Sequence, residues 1–76
     1  MGLEEHDFSL FEIEDRVWID TDLIPKSIAR KLKDVDTGVI ESFLYINNAW
    51  HCEVRIDKDG GIPLIVEVVE SALTKI

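Results

Sequence analysis

Cysteine is nearly missing from this chain. Cys52 stands alone, so no intramolecular disulfide can brace the fold. A chain of 76 residues buries only about 60% of the surface that its unfolded form exposes, and domains this thin usually lean on a disulfide, a metal or a partner subunit. Basic residues are scarce as well: 8 Lys and Arg stand against 16 Asp and Glu, a net charge of −8. A phosphate-binding surface needs the opposite balance, so the bulk charge argues against nucleic acid and against anionic membranes. No apolar run approaches the roughly 18 residues that span a bilayer. The first eleven residues carry Glu4, Glu5 and Asp7 where a secretory signal would carry Lys or Arg, so a cytoplasmic protein is expected.

The usual chemical signatures are also missing. There is no C-x-x-C and no H-E-x-x-H, and His51 and Cys52 are neighbours in an alternating stretch that points them to opposite faces. Asp57-Lys58-Asp59-Gly60-Gly61 begins like a calcium loop, but the ligand positions further on fall on Gly61 and Val68 and the required glycine on Ile62. Gly60-Gly61 lacks the further Gly and Lys of a phosphate loop. No cofactor, metal or catalytic residue is therefore assigned, and a non-enzyme is favoured. Cys52 reads as a small buried hydrophobe.

What the chain does hold is 46% hydrophobic and 32% charged residues, the balance of a folded domain. One domain over residues 1–76 is expected, with 1–7 a flexible tail. Charge is blocked along it: residues 1–22 sum to −7, residues 23–33 to +4, and the remainder to −5. The basic block, Lys26, Arg30, Lys31 and Lys33, reads as the solvated face of a helix.

Two hairpins stand out. Val39–Ile46 and Ala49–Asp57 flank Asn47-Asn48, and adjacent asparagines suit the two positive φ angles of a type I′ turn. A shorter pair, Phe8–Ile13 and Arg16–Asp20, flanks Glu14-Asp15. A helix is expected to begin near Leu23–Pro25, with Asp22 or a neighbour as its cap and Ile24, Ile28, Ala29 and Leu32 on its buried side. A second is expected over Pro63–Lys75, whose apolar residues fill one arc of about 200°. The competing reading is a strand at Ile62–Glu70, for its β-branched content. In element order alone, that alternative resembles PepSY-type domains. The echo between Ile19-Asp20-Thr21-Asp22-Leu23-Ile24-Pro25 and Ile56–Pro63 supports a doubled unit. The expected fold is α+β: a ββαββα pseudo-repeat with a four-stranded antiparallel sheet and two helices on one face, or ββαβββ if the last segment is a strand.

Pairing Ile46 with Ala49 sets Tyr45 against Trp50, Phe43 against Cys52 and Glu41 against Val54 on the core face. The other face then carries Phe11, Ile13, Trp18, Ile40, Leu44, Ile46 and His51. Two helices cover one side of a sheet, so this second apolar face is expected to be an interface, most simply between two copies. The N-terminal tail, with Leu3 and Phe8, is the competing cover. A non-catalytic interaction or regulatory module acting as a homodimer follows. The alternatives are an enzyme or ligand-binding protein whose site forms at the dimer interface from Trp18, His51, Glu53 and Arg55, and an acidic inhibitor that mimics nucleic acid. Nucleic-acid binding through Lys26, Arg30 and Lys33 ranks behind these.

Overall fold

The computed structural model describes residues 10–33, 35–57 and 61–76. They form β1 (Arg16–Ile19), a 3₁₀ turn (Thr21–Leu23), α1 (Lys26–Leu32), β2 (Thr37–Ile46), β3 (Ala49–Ile56), β4 (Leu64–Val69), a second 3₁₀ turn (Glu70–Ala72) and β5 (Leu73–Lys75). The class is α+β. Among the described residues there is one α-helix and one five-stranded antiparallel sheet, in the order β4-β3-β2-β1-β5. None of its helices is long and apolar enough to cross a membrane.

The central hairpin forms as its turn chemistry dictates. Asn47 and Asn48 take φ of 51° and 64°, which asparagine tolerates and a type I′ turn requires. Ile46 pairs with Ala49, Tyr45 with Trp50 and Phe43 with Cys52. Beyond Ser42 the expected register fails. A β-bulge between Ile40 and Ser42 inserts Glu41 as an extra residue, so Ile40, not Glu41, faces Val54. The inward and outward positions of β2 exchange at that point. Ile40 moves from the expected outer face into the core, where it is fully buried.

The helix expected over Pro63–Lys75 is absent, and the strand alternative describes its first half. Leu64–Val69 holds four β-branched residues, and Val66 and Val68 are buried while Ile65 and Glu67 are exposed, a period of two. The same residues also segregate on a helical wheel. The free backbone edge of β3 decides between them, because it needs partners that β4 supplies from His51↔Val69 to Ile56↔Leu64. The doubled ββα unit does not appear. Residues 10–13 form no strand, and the earlier part of the expected Phe8–Ile13 strand lies outside the described residues, as do the 1–7 tail and His6. Arg16–Ile19 is a strand all the same, held between β2 and β5.

α1 is shorter than expected and starts at Lys26, with Pro25 before it. The capping carboxylate serves the preceding turn instead: Asp20 accepts from the Asp22 N–H at 3.1 Å. Ile24 and Leu32 are buried, Ile28 and Ala29 pack against the core, and Lys26 and Arg30 face outward.

The sheet is curled. In a flat five-stranded sheet the outer strands lie about 19 Å apart. β4 and β5 are those outer strands, yet only Glu70–Ala72 joins them, and a link from Val69 to Leu73 reaches at most about 15 Å. The Asp20 N–H donates to the Ala72 carbonyl at 2.8 Å, which ties β1 to this link. Inside the curl lie Val17, Ile19, Ile40, Cys52, Val54, Ile56, Val66, Val68 and Leu73. Gly38 makes the curl possible, since a Cβ there would stand 2.4 Å from Val54 Cγ1 and 2.9 Å from the Arg55 carbonyl oxygen.

Candidate interaction surface

The outward side chains form rows across the strands. Arg16, Val39, Arg55 and Ile65 make one row, and Trp18 stands beside Thr37 in the next. On the other side of the bulge, Ser42, Glu53 and Glu67 make a row, followed by Leu44, His51 and Val69, and then Ile46 with Ala49.

The middle of this face is polar. Arg55 pairs with Glu41 and, through Nε at 3.2 Å, with Asp57. The Ser42 hydroxyl donates to Glu53, and His51 Nδ1 lies 3.1 Å from Glu67 Oε2. The expected apolar face is therefore divided. Trp18 (48% exposed) lies at one end, Leu44 (36%) and Ile46 (40%) at the other. Thr37, which faces Trp18, and Leu44 are about 23 Å apart along β2 at the rise of a strand. Ile13 is exposed beside the start of β1, with the neighbouring Glu14 N–H bonded to the Ile40 carbonyl. Phe11 does not face Trp18; it is half-buried and packs against the core. His51 is half-buried on the Leu44 row. Of the expected interface residues, Ile40 is out of reach, while Leu44, Ile46 and His51 are brought together.

Tyr45 was not expected on the surface. Its side chain lies on the core face of β2, yet it is 47% exposed. The cause is strand length. β1 pairs with β2 only from Thr37 to Val39, and β4 pairs with β3 only from His51 onward, so the end of the hairpin runs past both neighbours. Leu44, Tyr45 and Ile46 are consecutive exposed apolar residues on this projecting arm. Trp50 braces it, with its ring 5.1 Å from that of Tyr45 and 6.2 Å from that of Phe43, the latter edge to face. Ten residues in β2 against four in β1 is the signal in retrospect, but it requires knowing which strands pair.

The surface has shallow grooves. One of about 300 Å³ runs between Ile24, Pro25 and Ile28 and the His51, Glu67 and Val69 positions. Another of about 400 Å³ lies beneath the arm, between Leu10, Trp50 and Glu70. Ser42 and His51 each lie against a different carboxylate, Glu53 and Glu67, so these contacts do not pair the hydroxyl with the imidazole. Cys52 is fully buried. Among the described residues no group of three or more His, Cys, Asp and Glu is arranged to hold a metal ion. No protein-family model, curated protein or solved structure matches the chain.

Proposed function

We propose that this chain is a small acidic protein-interaction module that acts without catalysis, as a homodimer, through the projecting end of the β2–β3 hairpin. One observation carries the reading: Leu44, Tyr45 and Ile46 are exposed in succession on an arm apolar on both faces. Burying a side chain of that kind is worth about 1.5–3 kcal/mol, a large amount beside a domain stability of roughly 5 kcal/mol. Runs of exposed apolar residues are rare on a monomer's surface without a function to retain them. The aromatic bracing of Trp50 supports the same reading, because a braced arm loses little conformational freedom when it docks.

Sedimentation equilibrium of the pure protein and of Leu44→Asp tests this. The wild type should dimerise at micromolar concentration. The variant should keep the wild-type far-UV spectrum and sediment as a monomer. If Leu44→Asp associates as tightly as wild type, the arm is not the contact.

A further inference from the structure

Among the described residues, part of one edge of β2 is left unpaired. Its pairing with β1 ends at Arg16↔Val39 and is prolonged only at Ile40, whose N–H donates to the Asp15 carbonyl at 2.9 Å and whose carbonyl accepts from the Glu14 N–H at 2.8 Å. From Glu41 to Ile46 no strand among the described residues pairs with that side of β2. In a two-residue hairpin the pair flanking the turn, here Ile46 and Ala49, exchanges both backbone bonds. Alternation then turns the N–H and C=O groups of Phe43 and Tyr45 away from β3, toward the open edge. Exposed edges are normally guarded by charge or proline. This one is not: Ser42 to Cys52 holds no Asp, Glu, Lys, Arg or Pro, in a chain with 24 charged residues (16 acidic and 8 basic).

We propose that this edge pairs with the same edge of a second copy, antiparallel about a two-fold axis at Leu44, so that the two sheets join into one. The proposal rests on the homodimer reading and adds its geometry. In this register Leu44 meets its own counterpart, Phe43 meets Tyr45 of the partner subunit, and Ser42 meets the partner's Ile46. Each N–H and C=O of Phe43 and Tyr45 gains a bond across the axis.

Two features select a second copy as the occupant. The run Phe43-Leu44-Tyr45 is aromatic, aliphatic, aromatic, so it presents the same pattern when read in either direction. A two-fold axis at its centre therefore sets Phe43 against Tyr45 of the partner subunit twice, aromatic against aromatic. The other feature is charge. Two copies at −8 repel in most orientations, and across Ser42–Ile46 the Leu44 axis pairs only uncharged side chains, with Glu41 falling beside the partner's turn. Moving the axis to Phe43 would set Tyr45 against the partner's Glu41. Moving it to Tyr45 would set Phe43 against the partner's Asn47, in the turn.

Cysteine cross-linking reads the register directly. In the proposed pairing the two Leu44 Cα atoms stand about 4.5 Å apart, within reach of a disulfide. Cys52 is fully buried and does not compete. Under mild oxidation Leu44→Cys should appear mainly as a covalent dimer on a non-reducing gel. Ser42→Cys and Ile46→Cys should cross-link when mixed and hardly at all alone, and Asn48→Cys should stay monomeric. If the wild type sediments as a dimer but neither Leu44→Cys nor the mixture cross-links, the edge pairing is wrong and the homodimer reading stands. If the wild type is a monomer, both fall.

Discussion

Ile40 and Val54 face each other across β2 and β3, both fully buried, because Glu41 is an extra residue with no opposite residue in the β2–β3 ladder. The single insertion turns β2 over. Before it, Gly38 and Ile40 point into the curl; after it, Phe43 and Tyr45 take the inward side, and the open edge passes to their backbone groups. The core and the projecting arm are thus two results of one bulge.

The bulge register predicts which residues carry stability. Ile40→Ala should cost about 2–5 kcal/mol, the range for truncating a buried isoleucine. Trp18→Ser, at a site 48% exposed, should cost less, about 1–2 kcal/mol. Urea denaturation measures both. A regular hairpin without the bulge would leave Ile40 on the outer face and make its truncation cheap.

Gly38→Ala should destabilise by about 1–3 kcal/mol, the usual cost of overpacking. The added Cβ meets Val54 Cγ1 at 2.4 Å, Ile56 Cδ1 at 2.7 Å and the Arg55 carbonyl oxygen at 2.9 Å. The side chains can rotate, but the carbonyl cannot retreat without opening the β2–β3 ladder. A neutral result in urea denaturation would show that the curl does not depend on this close approach.

The turn makes a separate prediction. Asn48 sits at φ 64°, so Asn48→Gly should be neutral or stabilising, whereas Asn48→Val should cost about 1–2 kcal/mol. Thermal unfolding of the two variants side by side reads the difference. Equal effects would mean that the turn is not type I′.

Much of the hairpin, the core role of Cys52 and the buried side of α1 were legible in the sequence, because each follows from a local rule: turn chemistry at Asn47-Asn48, alternation from Trp50 to Ile56, helical spacing from Ile24 to Leu32. The bulge was not. Nothing in Val39-Ile40-Glu41-Ser42 marks an insertion, and its position is set by how β2 must turn to place Ile40 against Val54. The last segment misled for a different reason. Leu64–Val69 satisfies both the helical and the strand pattern, and only the unpaired edge of β3 separates them. Of the candidate site, Leu44 and Ile46 were legible, but Tyr45 was hidden, since its exposure depends on the unequal lengths of strands distant in sequence.

Salt separates self-association from an acidic protein's binding to a basic partner. Two copies at −8 repel, and salt screens that repulsion. Raising ionic strength from about 0.02 to about 0.3 M should therefore strengthen the dimer, where a nucleic-acid mimic would lose affinity for its basic target. Light scattering across this range checks the sign.

The most direct test is a dilution series of the wild-type protein in sedimentation velocity. A reversible dimer at micromolar concentration, dissociating on dilution, is the expected result. A single monomeric species up to about 100 µM, where even a contact worth only about 5.5 kcal/mol would begin to show, would contradict the account and leave the exposure of Leu44, Tyr45 and Ile46 without a purpose.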